Sequence, residues 1–377
     1  MQPLTASPRD TLTDGQVVSL IVDAPALITG YGAELLDTSL AVLDDISADL
    51  AGGSVSRNGY AELHGTAQLS ISTELDWGTA IIRPYYTMSD GTIKARFNLG
   101  AYYTDTSGKP LGEDPPTYSV QGYDILKILS DLVGESYALP AGASPLVEVE
   151  KILQDRGVLV YFIDQARADA TLPSPRTWAI DENVTWLKIV NDLLGAVGYL
   201  GAWSDWNGRI MCVPYENPGD RAPEWLYEAT GVRSMVAPQR NLVDDYFDAP
   251  NRWIAVRSNN VDGPAPVEGA GIYTWQNDTN GPTSIQARGG RVITAPILRL
   301  DVADQAALIA AAQQKIDADM RRRTTIKLST SPNPLHWHFD RIAVADPAMG
   351  SALLDALSTS WTLPLDRRDM THEWQTI

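Results

Sequence analysis

Residues 67–106 read AQLSISTELDWGTAIIRPYYTMSDGTIKARFNLGAYYTDT. The runs AQLSIS, TAIIRPYYTM and RFNLGAYYT are short and rich in β-branched and aromatic residues. SDG and the following TSGKPLGEDPP break them, as expected of strands joined by turns. Upstream, QVVSLIV and ELLDTSLAVL extend the same reading back to about residue 15, with SRNG as a further break. Residues 1–121 therefore predict an antiparallel barrel or sandwich.

Beyond residue 121 the period changes. In GYDILKILSDLVG, Ile125, Leu126, Leu129 and Leu132/Val133 fall on one helical face behind Asp124 as N-cap. SPLVEVEKILQDRG, with Pro145 in its first turn and Gly157 at its end, predicts a second helix, and NVTWLKIVNDLLG, from Asn183 to Gly195, a third. GYLGAWSDWNGRIMCVPY then predicts a hairpin turning at Asp205 to Gly208. Residues 122–215 are thus expected to form an α+β unit, and Asn217 to Pro223 to mark its boundary.

Strands resume in NRWIAVRSN, within a β region spanning 216–300. A polar loop follows from Asn259 to about Thr283, interrupted by a short strand at Ile272 to Trp275. VADQAALIAAAQQKIDADMRRR predicts a helix ~33 Å long, capped by Asp301, with Val302, Ala306, Ile309, Gln313, Ile316 and Met320 as its apolar stripe. Arg321 to Arg323 complement its dipole at the C-terminal end. Residues 301–377 would supply this helix and the strands completing a second barrel.

Composition narrows the function. The 377-residue chain is 44% hydrophobic and 20% charged, as in an ordinary globular protein. Its net charge of -18 lacks the basic footprint of a nucleic-acid binder, yet suits a surface along which DNA passes without adhering. The single cysteine, Cys212, excludes an intrachain disulfide and reads as a core thiol. No basic leader and no apolar run of about eighteen residues is present, so neither secretion nor membrane insertion is expected.

HWHFD, residues 336–340, is the one stretch that suggests a metal. On a strand, His336, His338 and Asp340 would share a face. The motif is weak beside H-E-x-x-H, and a polar strand face or a subunit seam sensitive to mild acid is the simpler reading. Motifs for nucleotide chemistry or a serine nucleophile are missing, and adjacent carboxylates such as Asp44/Asp45 and Asp244/Asp245 face opposite ways on a strand. No cofactor, no metal and no catalytic residue is assigned. Trp203 and Trp206, flanking the SDWNG turn, are the candidate glycan contacts.

The 67–106 segment resembles the tail hub, or minor tail, proteins of long-tailed phages of actinobacteria. The similarity lies in Leu75, Asp76 and Trp77, in Arg83, Pro84 and Tyr85, and in Phe97, Leu99, Gly100 and Tyr102. It continues in V-x-G-Y-D-x-L at Val120 to Leu126, in the GYLGAW hairpin, and in FDRIAV and LSTSWTLPLDRRDMTHEW near the end. The resemblance implies a mainly β, baseplate-hub-like fold: two tube-like β-barrel domains with smaller α+β domains. It implies a structural role without catalysis: a homotrimeric ring in the virion tail tip, made in the host bacterial cytoplasm. Such a ring would join a hexameric distal tail protein ring to a threefold tip, contact the tape-measure protein and other tail-tip proteins, and let DNA pass. Asp76, Trp77, Arg83, Tyr85, His336 and His338 are then structural or interface residues. Related hubs often continue into fibre-like or wall-degrading modules, and no such module is expected here. The alternative is a receptor- or carbohydrate-binding tip protein.

Overall fold

The computed structural model describes residues 1–24, 27–108, 111–112, 116–180, 183–244, 247–257, 267–279, 281–300, 305–321, 324–349, 353–366 and 369–377. The first helix, α1 (Asp14–Val22), corrects the strand expected at QVVSLIV. Thr13 and Gln16 form a capping box, and Val17, Leu20 and Ile21 are buried at helical spacing. Strands β1 (Ile28–Leu36), β2 (Val42–Asp45), β3 (Leu50–Asn58), β4 (Gly65–Ile71), β5 (Ile81–Ser89), β6 (Lys94–Asn98), β7 (Tyr102–Gly108) and β8 (Tyr118–Asp124) follow. In β4 and β5 buried and less buried residues alternate, because every second side chain points into the core.

The α+β unit contains β9 (Tyr137–Leu139), α2 (Pro145–Asp155), β10 (Tyr161–Ile163), β11 (Arg176–Trp178), α3 (Trp186–Ala196), β12 (Trp203–Ser204) and β13 (Ile210–Cys212). The helix expected after Asp124 is one short 3-10 turn, Ile125–Leu129, capped by the Asp124 carboxylate. It stops because the chain leaves to bridge Leu132 with Thr185, and Leu132 is exposed. The cap of α3 is Thr185.

Strands β14 (Trp225–Glu228) and β15 (Val236–Asp244) are followed by a separate small sheet. It comprises β16 (Arg252–Arg257), β17 (Val267–Glu268), β18 (Gly271–Gln276) and β19 (Leu298–Leu300). Helix α4 (Gln305–Arg321) packs on this sheet rather than on a second barrel. Its buried stripe is Leu308, Ala312 and Ile316, against Trp253, Ala255 and Tyr273; Ala306 and Ile309 are exposed. Of the expected stripe, Gln313, Ile316 and Met320 do face the sheet, whereas in the first half of the helix Leu308 and Ala312 take the place of Ala306 and Ile309. Asp301, Val302, Arg322, Arg323 and Asp245 lie outside the described residues, as do 259–266 and 280 of the expected loop. The described remainder of that loop is anchored: Asn251 and Asn277 are buried, and Asn251 bonds Thr283, Arg291 and Ile293.

The chain closes with β20 (Thr324–Thr330), β21 (Arg341–Ala345), β22 (Leu354–Pro364) and β23 (Met370–Thr376). One fourteen-stranded sheet runs β15-β20-β23-β22-β3-β4-β8-β7-β5-β1-β2, with β6 on β5 and the β14–β21 pair on β22. Two barrel-like halves, one from each end of the chain, are thereby fused. The long strand β22 makes the joint: Leu354–Leu357 pair with β21 and Ser360–Pro364 with β3. The halves share one apolar core, from Val55, Leu69 and Phe97 to Ile326, Trp361 and Trp374. The α+β unit has its own core, reached by Leu36, Ile81 and Ala101, and Cys212 lies in it with burial pushing its thiol up to about 12.

The β12–β13 turn docks on the first half. Gly100 donates its N–H to the Trp206 carbonyl at 3.0 Å, and a Cβ on Gly208 would stand 2.4 Å from that of Ala101. Gly208 also has φ +93°, which L side chains rarely adopt. Gly208→Ala is expected to cost roughly 1–3 kcal/mol, read as a lower urea midpoint with unchanged far-ultraviolet circular dichroism.

Candidate functional site

Two of the family-like residues surround a buried carboxylate. Glu34 on β1 stands opposite Arg83 on β5, accepting its Nε at 2.9 Å and Nη2 at 2.8 Å, and Arg96 Nη2 reaches the same oxygen at 2.6 Å. Burial alone would raise the Glu34 carboxyl; Arg96 and Arg83 hold it below its usual value. The Arg96 guanidinium stacks 3.8 Å from the Tyr85 ring centre, and the Tyr85 hydroxyl lies 2.8 Å from Ser47 Oγ. Arg96 Nε donates to Asn98, whose amide donates to Asn207 in the β12–β13 turn. Asp76 and Trp77 belong to a different turn, where Asp76 Oδ1 accepts the Gly78 N–H and half-buried Trp77 packs 5.3 Å from Tyr118.

HWHFD is not a strand and does not present both imidazoles to a polar surface. Asn333 accepts the Leu335 N–H and Asp340 Oδ2 the Trp337 N–H, curling the backbone into turns. Phe339 follows with φ +60°, in the left-handed region. His336 is fully buried, with Nδ1 3.0 Å from Asp340 Oδ2 and Nε2 2.6 Å from the Tyr227 hydroxyl. Both of its nitrogens are thus engaged. Burial would raise the Asp340 carboxyl, but the Met1 ammonium and His336 hold it below its usual range.

All four histidines meet here. His336 lies edge-on to His372 at 5.3 Å, and His338 stacks on His64 at 4.6 Å. Among the described residues no group of three or more His, Cys, Asp or Glu is placed to hold a metal ion. Burial, then the Arg57 charge, lowers His64 to about 3, and the same causes hold His338 well below its ordinary value. Burial and His336 do so for His372.

Arg57, on β3, links these groups. Its guanidinium lies 3.8 Å from the Trp337 ring centre, its Nη2 donates to the Ser204 carbonyl at 3.1 Å, and its Nε reaches His338 Nδ1 at 3.4 Å. Asp124 and Asp205 supply the facing negative charge. Burial pushes both carboxyls upward against the pull of their partners, Arg57 for Asp124 and the Arg209 and Asn207 N–H groups for Asp205.

Next to this cluster, where the first half, the α+β hairpin and the closing strands meet, is a cavity of about 680 Å³. Trp203 and Trp206 line it together with Tyr60, Trp337 and Phe339. Trp206 meets Trp337 edge-on at 6.4 Å, and Trp203 meets His338 at 5.5 Å. The reading of the sequence had not connected Arg57, Glu34, Arg96, Tyr60 or Phe339 with a site. For Arg57 a signal was available: it stands two residues from buried Val55 on the same strand face.

Arg57→Met is expected to cost about 3–5 kcal/mol, since the buried Asp124 would lose its compensating charge; thermal unfolding measures this. Arg57→Lys should not restore it, because an ammonium cannot stack flat on Trp337. The three lowered histidines predict acid sensitivity. Their folded-state pKa lies below the unfolded ~6.5, so their contribution is complete above that pH and declines as pH falls toward the folded values. Each adds a slope of up to about 1.4 kcal/mol per pH unit, whereas Asp124 and Asp205, being raised, act with the opposite sign. Unfolding midpoints should fall between about pH 6.5 and about pH 5, and His338→Gln should flatten that slope.

No family model matches the chain, and no curated protein sequence does. Solved structures do. A tail protein from Neisseria meningitidis MC58 is similar over 92% of this chain and 97% of its own, with TM-score 0.65 and 12% identity. The prophage MuSo2 43 kDa tail protein from Shewanella oneidensis is similar over 92% and 98%, with TM-score 0.63 and 12% identity. A Francisella PdpA–VgrG complex chain is similar over 96% of this chain and 60% of its own, with TM-score 0.53 and 9% identity. The fused barrel-like halves with an inserted α+β unit are therefore a phage tail protein fold, of the baseplate-hub type, and it extends over nearly the whole chain.

Proposed function

We propose that this chain is a structural tail-tip hub of a long-tailed phage. It assembles as a homotrimeric ring that adapts a hexameric distal tail ring to a threefold tip, closes the channel, and lets DNA through on infection. The observation that carries this reading is the end-to-end likeness to two tail proteins, each covered over more than nine-tenths of its length. Two barrel-like halves in one subunit support the symmetry argument, since three copies bring six such halves to a ring. We take residues 1–121 and the strands of 216–377 as the two tube-like domains, with 122–215 inserted and the β16–β19 sheet with α4 as an accessory unit.

The net charge of -18 suits a lumen that DNA crosses without adhering. The likeness to a chain from a PdpA–VgrG complex supports association with further tail components, here the tape-measure protein and other tip proteins. The motif series from Leu75 to Tyr102 supports an actinobacterial host. The role asks for stable surfaces rather than turnover, and we assign no catalysis. Electron microscopy of the purified chain, alone and with its distal ring partner, is expected to show threefold rings with an acidic lumen. A chain that stays monomeric in the assembled tail, or a basic lumen, overturns the proposal.

A further inference from the structure

We propose that the cavity between the first half, the α+β hairpin and the closing strands binds a neutral carbohydrate chain, whether or not the protein forms a ring. Its volume of about 680 Å³ is within the range of small-molecule sites, which favour junctions between structural units. Its aromatic wall comes from parts of the chain remote in sequence: Tyr60 after β3, Trp203 and Trp206 from the hairpin, Trp337 and Phe339 from the turns before β21. The indole N–H groups of Trp203 and Trp206 are buried, so these residues offer the cavity ring carbon rather than a donor. Flat ring carbon is the complement of the C–H face of a pyranose.

Phe339 is held in place at some cost. Its backbone is at φ +60°, its N–H donates to Ser358 at 2.6 Å, and its carbonyl accepts from Arg221 at 2.6 Å. A Cβ on Gly59 would lie 2.7 Å from its ring, so the ring has a fixed seat. Strain of this kind, kept by several anchors, is characteristic of ligand clamps.

The polar lining selects the ligand. Asp164, Glu216, Asn217 and Gln375 contribute carboxylates and amides; the Asp164, Asn217 and Gln375 oxygens each accept one bond, from Ala166, Gly219 and Tyr60, and keep a further lone pair, while Arg221 is engaged by the Phe339 carbonyl and the Met1 ammonium by Asp340 and Glu224. Sugar hydroxyls donate well to such acceptors. A polyproline segment, with a carbonyl acceptor at every residue and no backbone N–H, is matched poorly. An acidic sugar would be repelled.

The test is titration of the full chain with hexamers of glucose and of N-acetylglucosamine, followed by calorimetry and by fluorescence of the cavity tryptophans. Saturable binding of at least one hexamer is expected. Trp206→Ala should weaken it about tenfold, ~1.4 kcal/mol. Because Trp206 also packs against the core, Tyr60→Ala and Glu216→Gln, at exposed positions, serve as independent variants and should each weaken binding several-fold. No saturable binding of either hexamer, or binding unchanged in the Tyr60 and Glu216 variants, overturns the assignment. So does saturation by a polyproline decapeptide with neither hexamer bound. Ring formation, read separately, is unaffected by any of these outcomes.

Discussion

Arg57 carries a charge that it cannot give up and stands where water cannot reach it. Such a group costs several kcal/mol to bury unless every side of it is answered. Here the flat face is met by Trp337, one edge by the Ser204 carbonyl, another by His338, and the charge by Asp124 and Asp205, while Nη1 is buried without a hydrogen-bond partner among the described residues. Those partners come from β8, from the α+β hairpin and from the turns before β21. None of the three can be displaced without exposing the others to an unbalanced charge, so the arginine works as an interlock, specifying one arrangement more than it adds stability. Burial, and after it the same charge, lowers the pKa of His64 and His338.

Around that interlock the architecture is economical. One long strand, β22, serves β21 with its first residues and β3 with its last, so the halves share a sheet and a core. Glu34 plays a similar part on the other side of the first half, holding Arg83 and Arg96 and, through Asn98 and Asn207, tying the hairpin turn to β6. A shared sheet and core of this sort suits the adaptor role proposed above. It also explains how an open cavity can persist at a three-way junction.

Much of this was legible in the sequence, for local reasons. β4, β5, α2 and the hairpin at Asp205–Gly208 follow from strand-forming runs, a proline at a helix start and an Asn-Gly turn, and all are where the residues place them. QVVSLIV was misread because a short apolar run fits either period, although Thr13 and Gln16 spelled a capping box. HWHFD is not the strand its alternation suggests because the Asn333 and Asp340 side chains take the Leu335 and Trp337 N–H groups. The meeting of four histidines, and of Trp203 and Trp206 with Trp337, was beyond reach. Those contacts depend on strand pairings between the two ends of the chain, which no local pattern encodes.

The joint between the halves also sets an order of events. Ser56 and Thr362 exchange a hydrogen bond across β3 and β22 although 306 residues separate them. On the ribosome the first half is complete on its β4 side long before β22 exists, so the free edge of β3 must wait, unpaired, for almost the entire chain. The inserted unit, whose helices pack with one another locally, has everything it needs in the meantime. Fusion of the sheet is therefore a late and slow step, and the interval before it is when the chain is most open to pairing with the wrong partner.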